Sequence, residues 1–209
     1  SPEGRLLDIG AVAGAINPYD FKGRCREMVG FDFYERVADN PLLDRGVSGG
    51  PGRLPFEDAS FDAIFSIYVL EHVDDPATFS AEVARILKPG GVFLALTPNR
   101  WHYVALGASV TPLRFHRWYN ARRGRPSDDT FPTCYRLNTR HDQERWFGAP
   151  AFRTVHFERF EVSPNYLTFA LPAFLAGAAW ERVVNRVDAL ERFRVVIVSG
   201  FERSGSSRD

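Results

Sequence analysis

The chain has 209 residues, 44% hydrophobic and 25% charged, enough for one sizeable core and too few for two full domains. Its 26 Lys and Arg balance its 26 Asp and Glu, so no global field favours nucleic acid or an anionic membrane, and neither is an expected partner. Cys25 and Cys134 stand far apart behind an amino terminus with no signal-like pattern, which points to a reduced, cytoplasmic setting and to no zinc site.

Arg5 to Gly10 reads as a buried strand that breaks at glycine, and it starts so early that an amino-terminal helix is expected to lie outside this sequence. Glu27 to Phe33 predicts a second strand and Arg45 to Ser48 a short third. Phe61 to Tyr68 alternates too little for a half-exposed strand, so it belongs in the middle of a sheet covered on both faces. Asp75-Pro76 is an N-cap followed by proline at the first helical position. Phe79, Val83, Ile86 and Leu87 then share one apolar face up to a stop at Lys88-Pro-Gly-Gly91. Val92 to Thr97 predicts the next strand, Thr139 to Phe147 a helix, Thr154 to Val162 a strand and Arg194 to Phe201 the last strand.

Strands alternating with helices predict a doubly wound, mostly parallel α/β sheet in a single domain over residues 1–209. Residues 100–137 and 164–192 break the alternation and read as insertions over the core, a candidate substrate lid. The apolar run from Tyr166 to Trp180 is interrupted by Thr168 and Pro172. It is shorter than the roughly 18 to 20 residues that span a bilayer, so stable membrane insertion is not expected. Apolar residues at helical spacing also pack cores or dimer interfaces, which keeps a homodimer open.

Ligands of open α/β sheets bind outside the carboxyl ends of the strands, where strand order reverses. The turn Asp8-Ile-Gly-Ala-Val-Ala-Gly14 after the first strand is therefore the expected ligand site, with Gly10 and Gly14 letting backbone approach closely. Asp32, ending the second strand, is placed to accept hydrogen bonds from both hydroxyls of a ribose. Nicotinamide enzymes share that feature, but their G-x-G-x-x-G turn bares backbone to a pyrophosphate, and Val12 stands between the glycines here. A nicotinamide-dependent oxidoreductase is thus an alternative that Val12 and the lack of an obvious hydride-transfer dyad disfavour.

Leu54-Pro-Phe56, Leu70-Glu-His-Val73, Leu87-Lys-Pro-Gly-Gly91 and Leu96-Thr-Pro-Asn99 follow in that order after Leu6-Leu-Asp-Ile-Gly10. Together they resemble the central half of class I S-adenosylmethionine-dependent methyltransferases, of the group that includes quinone-biosynthesis enzymes. The resemblance covers most of residues 5 to 100 and thins beyond. It implies a seven-stranded Rossmann-like sheet, S-adenosylmethionine as cofactor, and methyl transfer to a small molecule. It further implies that Gly10 and Gly14 border the methionine part of the cofactor and that Asp8 orients its ammonium group. Asp32 would hold the ribose and Phe33 flank the adenine, with Leu54, Ser66 and Tyr68 also bordering the cofactor. Two positions depart from the family: Val12 replaces a middle glycine, and Gly49-Gly-Pro-Gly-Arg53 lacks the usual acidic contact to adenine. A non-catalytic cofactor-binding or scaffold protein of the same fold is therefore a second alternative.

Displacement at a sulfonium carbon proceeds in line, and holding the nucleophile close and aligned supplies much of the acceleration; oxygen acceptors also benefit from a base. His102 is the first choice for that base. His72, just past the fourth strand, is the second candidate, with capping of the following turn as its structural reading. Asn99, Trp101, Tyr103, Phe115, His116, Trp118, Tyr119 and Phe131 follow the fifth strand, and Tyr166, Phe169, Leu171, Phe174 and Trp180 precede the last. Apolar rings in both insertions predict a hydrophobic or aromatic small-molecule acceptor, while Arg122-Arg-Gly-Arg125 reads as a solvated loop.

Overall fold

The computed structural model describes residues 3–11, 20–103, 105, 132–162, 167–168 and 170–205. Strands β1 (Arg5–Ile9), β2 (Glu27–Asp32), β3 (Arg45–Ser48), β4 (Phe61–Ile67), β5 (Leu87–Pro98), β6 (Phe152–Phe160) and β7 (Val196–Arg203) form one seven-stranded sheet in the order β3-β2-β1-β4-β5-β7-β6. The pairs β1–β2, β1–β4, β2–β3 and β4–β5 are parallel, whereas β7 runs antiparallel to both β5 and β6. This is the mostly parallel, doubly wound architecture expected from the sequence. As its mostly apolar, weakly alternating sequence predicts, β4 lies at the centre. The edge strands β3 and β6 instead consist mostly of half-buried and exposed positions.

Successive side chains of β1 and β2 go to opposite faces. Leu7, Ile9, Val29 and Phe31 join the larger core with Ile64, Val83, Ile86 and Phe93, while Met28 packs with Val37, Leu43 and half-buried Leu6 in a smaller one. Helix α1 (Pro76–Ile86) starts on the Asp75 carboxylate, which accepts the amides of Ala77 and Thr78, and buries Val83 and Ile86. Helix α2 (Arg140–Trp146) starts on Thr139, whose hydroxyl accepts the Asp142 amide. Just beyond α2, Phe147 completes an aromatic cluster with Phe79, Phe93 and Phe201.

Several boundaries differ from expectation. Strand β5 begins at Leu87, not Val92, because Leu87 leaves α1 in an extended conformation and pairs with Phe61. Gly90, at φ +77°, lies within the register shift that follows, so Lys88 to Gly91 is a bulged strand start. Strand β6 starts at Phe152 and β7 ends at Arg203, each displaced by two residues, because β6 has a single neighbour in the sheet and its register follows β7 from Phe152–Arg203 onward. The segment 164–192 holds helix α3 (Leu171–Arg186), with Pro172 in its first turn, where a missing amide costs no intrahelical bond, and a 3₁₀ turn at Asp188–Phe193. No helix among the described residues is long and apolar enough to cross a membrane.

Candidate functional site

In this strand order the chain leaves β1 toward β2 on one side and reaches β4 on the other, so a crevice opens outside the carboxyl ends of β1 and β4. Asp8 is buried in β1 between Gly30 of β2 and Phe65 of β4. The amides of Gly10 and Ala11 both donate to the Phe31 carbonyl, at 2.8 and 3.2 Å, which ties the turn to the end of β2. Gly10 has φ +89°, and a Cβ there would overlap Val69 Cγ2. This is a place where backbone must be bare and left-handed. Gly14 and Val12 lie outside the described residues.

Asp32 closes β2 with 8% of its surface exposed. Its Oδ1 accepts the Tyr34 amide at 3.1 Å, and its carbonyl accepts the Gly49 amide. Burial raises its pKa above the ordinary carboxylate value, opposed by the amides of Tyr34 and Phe33 and by the charge of Arg36. Phe33 is 59% exposed beside it, its ring edge-on to Phe31. An exposed ring next to a desolvated carboxylate suits a base-and-sugar ligand.

The glycine loop before Leu54 is held from behind. The Leu54 amide donates to Glu82 Oε2 at 2.8 Å, and the Arg85 guanidinium donates to the carbonyls of Leu54 and Phe56 and to Asp58 and Glu82. Leu54 itself is buried. Neither Glu82 nor Arg85 is visible as a site residue in the sequence, where two charges three apart on an amphipathic helix look like a solvated face.

On the β4 side, Ser66 pairs with Ile9 and is fully buried, and its Oγ has no hydrogen-bond partner among the described residues. Tyr68 turns the chain at φ +57° with its amide on the Leu96 carbonyl and half of its surface exposed. Glu71 is buried. Its carboxyl accepts the Thr97 hydroxyl at 3.1 Å, its carbonyl accepts the amides of Cys134 and Tyr135, and burial pushes its pKa up. Asn138 bonds Thr97 Oγ1 and the Pro98 carbonyl, so this polar knot fastens the returning chain to the end of β5. His72 Nδ1 lies 2.9 Å from the Pro132 carbonyl. A carbonyl only accepts, so Nδ1 carries the proton and Nε2 is the basic nitrogen of the neutral ring.

Asn99 and His102, just past the end of β5, are both buried. The His102 ring is 2% exposed, 4.0 Å from Tyr103 between centroids, with Nε2 3.3 Å from Glu161 Oε1. That is an ion-pair distance outside hydrogen-bonding geometry. The other Glu161 oxygen accepts the Val195 amide at 3.1 Å. Asn99 is a bracket: Nδ2 donates to the carbonyls of Arg192 and Arg194, both at 2.7 Å, and Oδ1 accepts the Trp101 amide. All of its polar groups are spent on the fold. Trp101 is half exposed and Trp180 meets Tyr103 edge-on. Phe115, His116, Trp118, Tyr119, Arg122 to Arg125, Phe131, Tyr166 and Phe169 lie outside the described residues.

Comparison with known proteins bears on this geometry. Residues 7–95 match the family described as a methyltransferase domain. A probable S-adenosylmethionine-dependent methyltransferase of Mycolicibacterium smegmatis is 41% identical over 80 residues, 36% of this chain and 31% of that one. The ubiquinone biosynthesis O-methyltransferase of Hahella chejuensis is 32% identical over 134 residues, 56% of each chain. The chain thus spans about a third and about half of the length of these two relatives. Among solved structures, the YcgJ protein of Bacillus subtilis aligns with a TM-score of 0.56 at 20% identity, covering 99% of this chain and 94% of that one, which is a likeness of fold.

Proposed function

We propose that this chain, a class I S-adenosylmethionine-dependent methyltransferase by its matched domain and its sheet, binds S-adenosylmethionine at the β1–β4 crevice and transfers a methyl group to a small hydrophobic or aromatic acceptor. The observation that carries this reading is the convergence of Asp8, the bare turn at Gly10 and the desolvated Asp32 carboxylate on one end of the sheet, with the orphaned Ser66 hydroxyl on the neighbouring strand. These residues fit the cofactor. Asp32 would accept from the ribose hydroxyls, Phe33 would flank the adenine, Gly10 would border the methionine part, Asp8 would orient its ammonium group, and Leu54, Ser66 and Tyr68 would complete the wall; Gly14, expected beside Gly10, lies outside the described residues. When bound, the cofactor supplies a sulfonium-activated methyl group.

What the chain adds is position and proton handling. The left-handed Gly10, tied to the Phe31 carbonyl, and the Arg85 clamp on Leu54 each fix a backbone segment in place, which lowers the ordering entropy left to be lost on alignment. For an acceptor that must shed a proton, His72 serves as base through Nε2, with Nδ1–H anchored on Pro132. The burial of His102 against Glu161 moves that role away from the sequence's first choice, and His102 instead fixes the start of the segment after β5.

The test is calorimetric titration with S-adenosylhomocysteine and with a nicotinamide dinucleotide, followed by transfer of labelled methyl to phenols, quinols and aromatic acids. Binding of the first alone, with label on a small acceptor, is the expected result. Tight binding of the dinucleotide, or label only on peptides or RNA, refutes the proposal. His72→Gln should lower turnover on phenols and flatten its pH profile, whereas an unchanged profile removes the base assignment.

A further inference from the structure

A cavity of about 690 Å³ opens at the same end of the sheet, beyond β5. That size suits a small organic molecule. Arg100 and Trp101 line it from the end of β5, Arg140 from the first turn of α2, Arg159 from the end of β6, and Arg192 and Phe193 from the 3₁₀ turn before β7. Because β6 runs antiparallel to β7, and β7 antiparallel to β5, the ends of β5 and β6 point the same way as the β1–β4 crevice.

The chain as a whole is neutral, but this cavity is not. Four arginines line it against one acidic residue, Asp142, whose carboxylate is engaged by the Thr139 hydroxyl at 2.6 Å. Arg140 and Arg159 each reach one carboxylate, Glu144 and Glu191. No carboxylate among the described residues lies within ion-pair distance of Arg100 or Arg192, although Arg192 sits over the Phe193 ring at 4.7 Å. Two arginines without carboxylate partners among the described residues, beside two aromatic residues, form a surface for a molecule that is flat or apolar at one end and anionic at the other. Carboxylate and phosphate groups match the planar donor fork equally well.

We propose that this cavity holds an organic anion, a carboxylate or phosphate on an apolar or aromatic body, and that this anion is the distal part of the methyl acceptor. The assignment rests on the methyltransferase reading above. The body of the ligand lies on Trp101 and Phe193, and Arg100 and Arg192 neutralise its charge. The reacting atom points along β5 toward the crevice. The preferred acceptors are therefore acids rather than neutral arenes.

The test uses the whole chain saturated with S-adenosylhomocysteine and a matched pair of probes, 2-naphthoate and the uncharged 2-naphthamide, titrated calorimetrically. The expected result is at least about tenfold tighter binding of the acid. That preference should disappear in the Arg100→Ala/Arg192→Ala double variant, while its melting temperature and its affinity for S-adenosylhomocysteine stay unchanged. Equal binding of the two probes, or a preference that survives the double variant, overturns the cavity assignment. A second arm separates acceptor from effector: 6-hydroxy-2-naphthoate should take labelled methyl from S-adenosylmethionine faster than its amide. Binding of the hydroxy acid with no methylation overturns the acceptor assignment. Loss of S-adenosylhomocysteine binding in the unmodified chain is a different outcome, since it refutes the cofactor reading on which the acceptor assignment stands.

Discussion

Replacing Asp32 with Asn should separate what this carboxylate does for folding from what it does for ligand. Burial raises its pKa in the folded chain above the unfolded value. A carboxyl group shifted that way adds its full stability below the unfolded pKa and loses it as pH rises through the folded pKa, so at neutral pH the buried charge opposes folding. Asn keeps the shape, and its carbonyl can still accept the Tyr34 amide now held at 3.1 Å. The melting temperature of Asp32→Asn at pH 7 should therefore equal or exceed that of the parent, with the difference vanishing in acid. Ligand binding runs the other way. A hydrogen bond to a charged group contributes about 1.5–3 kcal/mol, which at about 1.4 kcal/mol per tenfold weakens S-adenosylhomocysteine binding by roughly 10- to 150-fold when the charge is removed. Calorimetry and thermal melts on the same preparation read both quantities. Unchanged affinity refutes the ribose role of Asp32, and a lower melting temperature at pH 7 refutes the burial argument.

Gly10→Ala places a side chain at φ +89°. That costs about 1–2 kcal/mol before the overlap with Val69, a fall of at least roughly 2–8 °C in thermal melts for a chain of this size, and Val69→Ala should recover part of it. Arg85→Lys removes the fork that holds two carbonyls and two carboxylates. Amide exchange in Leu54–Asp58 should accelerate and cofactor affinity fall, as read by hydrogen-exchange mass spectrometry and calorimetry. The Thr78 hydroxyl bonded to Asp75 at 2.6 Å, with the helix amides, holds the Asp75 carboxyl below its ordinary pKa, so the stability it lends is present above the unfolded pKa and lost as pH falls through the folded one. Melts of Asp75→Asn across pH should show a deficit at pH 7 that closes in acid.

The parts of this protein that could be read from its sequence are those whose partners are local or whose pattern repeats. Strand β4 reads as central because its apolar residues alternate too little for a half-exposed strand, and α1 because a capping Asp, a Pro and a periodic face occur together. The placement of Asp8, Gly10 and Asp32 around one crevice follows from a strand, a turn and a second strand in order. The bulged start of β5 was hidden, since Lys88-Pro-Gly-Gly91 carries the residues of a chain break and only pairing with Phe61 makes it a strand. The part Asn99 plays in the fold was hidden because its amide donates to the carbonyls of Arg192 and Arg194, the first 93 residues away. His102 is a similar case: its environment is set by Glu161 on the far side of an insertion. The arginines of the cavity come from four separate segments, and no one segment looks basic.

The strand order also constrains how the chain assembles. Strand β7 lies between β5 and β6, and among the described residues β6 has no other neighbour in the sheet. While a ribosome has yet to release residues 196–203, β5 presents a raw edge of unpaired amides and carbonyls, and β6 has nothing to join. Three of the nine residues that line the cavity beyond β5, Arg159, Arg192 and Phe193, therefore take their places only after strands β1 to β5 are paired. Late pairing over such sequence separation is slow. A newborn chain should thus pass through a stage in which the β1–β4 crevice has formed and the cavity beyond β5 has not, and that stage is also the one most exposed to aggregation.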